Sequence, residues 1–595
     1  MSARLHALTA NRRARLTAPP AIESRVKLVT FFLLGVLGLV ILRLGYWQIV
    51  KHSELTEQAE AQYRKTKTFA GARGSIYTAD NFLLATNEPR YRLFAQPNRL
   101  RMDSAQLTKD ICSVLSQRQA SASAQIDCGT ILEKLSKTDS HWQTLALDIT
   151  QEERTALSEK ISDPAVGFEE FHIRTYPEAS TAAQLLGFVG KTEDGDPIGQ
   201  YGIEGLLENE LKGKIDAKTV LTDALGYQLT ADGIRGPLSL QGRDIVLTVR
   251  RDIQHSAETM LADAVKQYGA KSGEVIIMEP KTGNILALAN YPTFKPSEYV
   301  STDPQQYRNS SLVDTYEPGS TLKILTVSAG INEGVISPST ACTRCAGPRV
   351  VYDYTIRTWN DVYTPGITMV EALEKSDNTA MIYVSDLLGS QKLEEYTKKF
   401  RIGQPIGIDL QGDTSTPFPE RWGPVETATI SFGQGIVTTP LQLVRAVGAI
   451  ANNGVIVNPR IVLAIKDEEK VTELPPTTQA EQIITEETAE TVTQMMVSAA
   501  EHGEAKWAYA KNFRVAGKTG TSQVAVRGGY DEDKTIASFV GFSPPENPKF
   551  VMLVKIDEPT SSPWAAETAA PLWFKLANKL YLLLGIPYED TASPV

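Results

Sequence analysis

The chain is poor in cysteine, with four in 595 residues, and has no excess of positive charge, its formal net charge being -10. The charge balance argues against a nucleic-acid protein and against an anionic polymer held in a basic groove. Zinc-finger and phosphate-loop words are absent as well. The cysteines fall as two local pairs, Cys112 with Cys128 and Cys342 with Cys345. A zinc site at either pair would need two further ligands, and none stands nearby. Ala341 to Gly347 reads as a turn and not as a helix start, which argues against thioredoxin-like chemistry at Cys342 and Cys345. In an extracytoplasmic chain the four can close two disulfides, and four cysteines permit three pairings.

Runs apolar enough to cross a bilayer are also scarce: there is one. Leu28 to Leu42 is almost wholly apolar and extends through Tyr46, Trp47, Ile49 and Val50, broken by Arg43 and Gln48. Arg4, Arg12, Arg13, Arg15, Arg25 and Lys27 precede it against the single acid Glu23. The expected topology is therefore a cytoplasmic tail 1–27, a membrane anchor 28–50, and everything later outside. A cleaved signal peptide is the rival, but the apolar run is long, the basic head extended, and no small-residue cleavage word follows. The remaining composition, 42% hydrophobic and 22% charged, is that of a globular chain long enough for two or more domains.

Three short words stand in order in the second half: Ser320-Thr321-Leu322-Lys323, Ser376-Asp377-Asn378 and Lys518-Thr519-Gly520-Thr521. This set resembles the signature of penicillin-binding proteins and class A β-lactamases, and the resemblance implies acyl transfer through a serine ester. Each word has a physical reason. Three residues apart on a helix, Ser320 and Lys323 share a face, so the amine can take the hydroxyl proton. For that, Lys323 needs burial or a neighbouring positive charge such as Lys518 to lose its own proton at neutral pH.

Glu317-Pro318-Gly319 breaks the chain before Ser320, and the apolar run Ile324 to Ile331 predicts a buried helix ending near Gly334. Ser320 then lies at a helix N-terminus, where its N–H and that of Thr521 can face a developing oxyanion. Such donors are each worth roughly 3 to 4 kcal/mol in the transition state. Ser376-Asp377-Asn378 interrupts two helical stretches. Ser376 there suits a proton relay and Asn378 a hydrogen bond to a substrate amide, while in isolation the same word reads as a helix cap. Phe513 to Ala516 leads into Lys518 as a strand, with Thr519 and Thr521 on one face to grip a substrate carboxylate and Gly520 leaving room for substrate backbone. No metal or cofactor is called for.

Two copies of these words test their specificity. Ser24-Arg25-Val26-Lys27 abuts the membrane span without partner words and is set aside. Lys281-Thr282-Gly283 lies between strand-like runs at Glu274 to Met278 and Asn284 to Leu288, where Gly283 suits a hairpin turn.

After the span a polar stretch, Ser53 to Lys67, reads as helical. Mixed short strands and helices without a catalytic constellation follow to about residue 245, as in a stalk. A helix from Asp252 to Tyr268, strands at Thr535 to Phe542 and Phe550 to Ile556, and a last helix near Pro571 to Leu584 frame the words. The predicted class is α+β, an antiparallel sheet covered by helices.

With these residues together the chain resembles a class B penicillin-binding protein, a membrane-anchored peptidoglycan D,D-transpeptidase, over nearly its full length. The likeness rests further on Arg308-Asn309, Tyr316 to Ser320, Ser431 to Gly435, Thr439 to Gln442 and Gly517 to Gln523. It includes the stalk words Arg73-Gly74-Ser75-Ile76, Arg174-Thr175-Tyr176-Pro177 and Gly202-Ile203-Glu204-Gly205, which separate class B from soluble β-lactamases. The resemblance implies a pedestal (dimerisation-type) domain, 51–245, and a transpeptidase domain, 246–595, acting on the D-Ala-D-Ala end of a stem peptide. It also implies a membrane glycan polymerase of the lipid II-using type as partner, other division or elongation proteins, and β-lactams as inhibitors. Gly433-Gln434-Gly435, Val540 to Pro544 and Ile556 to Pro559 look more like the division-specific subclass. The chain departs from the family where Tyr77 to Phe82 replaces an Asp-Arg-x-Gly turn. The competing readings are hydrolysis in the same fold, of D-alanyl ends or of β-lactams, and a non-catalytic activator of the polymerase.

Overall fold

The structure, a computed structural model, describes residues 20–116, 127–221, 240–467, 470–476, 480–509, 512–526 and 529–588. Arg4, Arg12, Arg13 and Arg15, on which the orientation of the anchor rests, lie outside them. The chain divides into two units, residues 1–70 with 215–236 and residues 71–214 with 237–595.

In the first unit a helix, Pro20–Gly45, continues through a wider turn, Tyr46–Val50. Ser24–Val50, with mean hydropathy 2.4, is the one helix among the described residues long and apolar enough to cross a membrane. The following helix, His52–Tyr63, is shorter than the predicted stretch to Lys67. Arg64 onward instead forms a strand, Arg64–Ala70, paired antiparallel with Ile215–Leu221. The pairing partner lies some 150 residues away, and strand formation follows such neighbours more than local propensity.

In the second unit β1 (Ile76–Tyr77) and β2 (Leu83–Ala95) form a hairpin. Its turn departs from the family words yet closes tightly. Thr78 N–H donates to Phe82 O, Phe82 N–H returns a bond to Thr78 Oγ1, and Asn81 takes the left-handed backbone (φ 69°) that asparagine tolerates. The sheet grows through β3 (Gln143–Ile149) and β4 (Val166–Thr175), both antiparallel to β2, while β5 (Asp244–Leu247) runs parallel to β1. Helices α1 (Ser104–Leu115) and α2 (Cys128–Leu135) bury Ile111 and Ile131 with Leu93 and Ile149 of the sheet, and the disulfide Cys112–Cys128 ties them.

The three stalk words, far apart in sequence, meet in one buried ion cluster. Both oxygens of the fully buried Glu204 accept from guanidinium Nε atoms, Arg73 at 2.6 Å and Arg174 at 2.6 Å. Arg73 also reaches Glu208, and Arg174 donates to Gly74 O at 2.7 Å. Removing one partner of a buried pair leaves the other charges uncompensated. Glu204→Ala is expected to cost about 3–5 kcal/mol in denaturant unfolding of the detergent-solubilised chain. A loss below about 1 kcal/mol would mean that water already solvates the two arginines.

The rest of this unit begins with α3 (Arg251–Tyr268) and the hairpin of β6 (Ser272–Met278) and β7 (Ile285–Tyr291), turned at Gly283 with φ 75°. Thus Lys281-Thr282-Gly283 is a turn. There follow α4 (Lys323–Asn332), α5 (Met369–Glu374), α6 (Asn378–Leu388) and α7 (Pro440–Ala451). Strand β8 (Val462–Lys466) pairs with β5. The line between 245 and 246 therefore falls inside β5, whose neighbours β1 and β8 come from opposite sides of it. Helix α8 (Glu486–His502), strands β9 (Ala516–Val526), β10 (Gly529–Ser543) and β11 (Phe550–Asp557), and α9 (Ala569–Leu583) complete the unit.

Five strands form one antiparallel sheet in the order β7-β6-β11-β10-β9, leaving β9 at an edge. Its strands are apolar on both faces, and alternation sorts them. Val275, Ile277, Phe539 and Met552 pack with Leu261 of α3 and Trp573 of α9. Ile276, Met278, Val540 and Leu553 pack with Val327 of α4 and Val444 of α7. Helices thus cover both faces of this antiparallel sheet, and each apolar face is buried against them.

Candidate active site

A single 3-10 turn, Gly319–Leu322, leads into α4 and carries Ser320, half-buried, just ahead of Lys323. Gly319 has φ 55°, and its N–H donates to Gly433 O at 3.0 Å. A Cβ on Gly433 would lie 2.0 Å from Gly319 O, so only glycine lets these backbones meet. Ser431-Phe432-Gly433-Gln434-Gly435 is in this way the buttress of the serine turn. Thr326 Oγ1 donates to Ser431 O, and Gly435 N–H to Glu317 Oε1.

The middle word is a loop between α5 and α6, as its sequence predicts. Asp377 alone does the capping, accepting from Ala380 N–H at 3.0 Å, which leaves Ser376 and Asn378 free for other work. Ser376 is 2% exposed and sits at φ 54°. Lys323, with no exposed surface, donates to Ser376 O at 2.6 Å, Ser376 Oγ at 3.2 Å and Asn378 Oδ1 at 2.8 Å. Asn378 in turn donates to Arg357 O at 2.9 Å.

The third word lies on the edge strand β9, beside the serine turn. A Cβ on Gly520 would come 2.7 Å from Thr321 Cγ2 and 3.0 Å from Pro318 O. The space expected for substrate backbone is thus where the strand packs on the turn. Lys518, 3% exposed, donates to Thr519 Oγ1 at 3.0 Å. Thr521 Oγ1 accepts from Ala565 N–H at 3.1 Å.

Burial pushes the Lys323 amine down to about 7, and the charge of Lys518 adds to the effect, against Glu504 and Asp377, which oppose it. Burial also lowers Lys518, with Glu504 opposing. Burial acts on both amines, and at Lys323, which adjoins Ser320, the like charge of Lys518 acts in the same direction.

Sequence reading missed one residue of this cluster. Glu504 stands fifteen residues before Thr519, just past α8, and its Oε2 accepts from Thr519 Oγ1 at 2.8 Å. No motif contains it, and a carboxylate in a polar segment gives no periodic signal.

A helix-covered antiparallel sheet with these three words gathered on its edge strand and the neighbouring turns is the layout of the penicillin-recognising enzymes. The chain belongs to the penicillin-binding protein family: the family model of the penicillin binding protein transpeptidase domain matches residues 273–578, and that of the penicillin-binding protein dimerisation domain residues 68–247. Among its relatives is stage V sporulation protein D of Bacillus subtilis (strain 168), 32% identical, with 92% of this chain and 84% of that protein covered. Another is the probable peptidoglycan D,D-transpeptidase PenA of Neisseria meningitidis, 30% identical, with 96% and 94% covered. In fold the chain resembles penicillin binding protein 2X from Streptococcus thermophilus, with TM-score 0.75, 23% identity, and 88% of this chain and 80% of that one covered.

Proposed function

We propose that this protein is a peptidoglycan D,D-transpeptidase that cross-links stem peptides in septal wall synthesis through an ester on Ser320. The observation that carries the reading is Lys323: fully buried, held by Ser376 and Asn378, and titrating near neutrality beside Ser320. In this reading Ser320 Oγ attacks the carbonyl carbon of the penultimate D-alanine and passes its proton to Lys323 Nζ. The C–N bond breaks, and the proton reaches the departing D-alanine amine by way of the Ser376 hydroxyl. The amine of a second stem peptide then attacks the ester, gives up a proton along the same route, and releases Ser320. Asn378 holds Lys323 and the substrate amide, the Ser320 and Thr521 N–H groups face the oxyanion, and the third word, Lys518-Thr519-Gly520-Thr521, offers the substrate carboxylate the Lys518 ammonium and the Thr521 hydroxyl. β-Lactams enter the same acylation and stop there.

The proposed layout is a cytoplasmic tail 1–27, an anchor 28–50, a pedestal 51–245 and a transpeptidase domain 246–595 outside the membrane, with a membrane glycan polymerase as pedestal partner. The test is labelling with a fluorescent penicillin. A covalent label abolished by Ser320→Ala carries the reading, and a label that survives the substitution defeats it.

A further inference from the structure

Glu504 takes no part in the reaction as set out above, yet it touches the third catalytic word. A hydroxyl has one proton and two lone pairs, and a carboxylate only accepts. The Thr519 proton therefore points at Glu504 Oε2, 2.8 Å away, and a Thr519 lone pair faces Lys518 Nζ at 3.0 Å. The chain Glu504, Thr519, Lys518 has one direction, with an anion at one end and a cation at the other. Thr519 so held has no proton left for a substrate carboxylate. Thr521 does, since its oxygen only accepts from Ala565 N–H.

We infer that Glu504 is a positioning residue for the transpeptidase reaction, anchoring Thr519 and fixing Lys518 as the ammonium beside Lys323, so that the substrate carboxylate is left to Lys518 and Thr521. The inference rests on the reading of Lys323 as the base. Burial works against the charge on both lysines, and Glu504 is an anion that opposes it at each. Asp377 opposes it at Lys323 only. On its other side Glu504 lines a cleft of about 200 Å³ that also carries Glu374, Lys375, Asp377 and His502. Of these, Glu374 accepts from Ser498 and lies 3.9 Å from His502 Nδ1, and Asp377 is engaged in its cap.

The sign of the effect follows. Acylation needs Lys323 neutral and Lys518 charged, so its rate rises with pH through the first group and falls through the second. Loss of the Glu504 charge lowers both pKa values, and the whole bell moves toward acid. With Glu504 and Lys518 less than about 6 Å apart across the shared Thr519 oxygen, the alkaline limb moves by about one pH unit or more, and the acid limb moves in the same direction.

The experiment measures the second-order rate of acylation by a fluorescent penicillin against pH, for the full chain in detergent, comparing wild type with Glu504→Gln. The amide oxygen of glutamine can still accept from Thr519, so this variant separates charge from hydrogen bond. The expected result is both limbs displaced to lower pH, with faster acylation than wild type near pH 6 and slower acylation on the alkaline side. A variant bell superimposed on the wild-type bell, whatever its height, makes Glu504 a structural support only and ends the proposal. If Glu504→Gln fails to fold, Glu504→Asp, which keeps the charge, is predicted to leave both limbs in place, and a displaced bell there overturns the inference. A wild-type profile with no acid limb near pH 7 removes the base assignment of Lys323, and this inference with it.

Discussion

Membranes carrying the Ser320→Ala chain are expected to take up no covalent fluorescent penicillin, while the same membranes with the wild-type chain should show a stable band at 65.1 kDa. Removing a nucleophile from a serine acyltransferase costs on the order of a millionfold in rate, far below detection by labelling. The substitution deletes one oxygen from a half-buried side chain and leaves the Gly319 to Gly433 bond and the Thr321 contact to Pro318 untouched. Its effect on stability should therefore stay within about 1 kcal/mol. A thermal melt with and without penicillin separates the two possible failures. The wild-type melting temperature should rise on acylation and that of Ser320→Ala should not, although the unliganded melts should lie close together. A variant that still labels would place the nucleophile at another serine and dissolve the mechanism.

Lys323 gives the second large effect. Lys323→Ala should slow acylation by a factor of about 100 to 10,000, the usual span for loss of a general base. Lys323→Arg keeps a cation but cannot release a proton, so it should be as inactive at pH 9 as at pH 6. On the proposed mechanism the neutral amine is the active form of the wild type. With Lys323 brought down to about 7, the rate should fall about tenfold for each unit below that pH and level off above it until Lys518 in turn loses its proton. Lys518→Ala removes the like charge that helps to hold Lys323 down, so its acid limb should move to higher pH. Stopped-flow or quenched labelling from pH 5.5 to 9 reads all three. A pH-independent wild-type rate would exclude Lys323 as the base.

Much of the site was legible because its parts are local. The spacing of Ser320 and Lys323, the apolar run after them, the break at Ser376 and the alternation around Lys518 are patterns of a few residues, and the structure has α4, the α5–α6 loop and β9 where those patterns lie. The repeated word at Lys281 could be read as a hairpin turn for the same reason. Composition and one apolar run likewise gave a single candidate anchor.

What depends on distant neighbours was not legible. Arg64 to Lys67 read as helix because their pairing strand begins only at Ile215. The stalk words looked independent until Glu204 accepted from both Arg73 and Arg174. That Gly520 packs against the serine turn, where a Cβ would meet Thr321 and Pro318, depends on a contact across some 200 residues of chain. The sequence by itself determined which chemical groups the reaction has at its disposal and the local backbone that carries each. Tertiary structure alone decided how they act on one another. Lys323 meets Ser376 across 53 residues of chain and Glu504 reaches Thr519 across 15, and a proton affinity is set by burial and by the charges folded around a group, which no stretch of sequence contains.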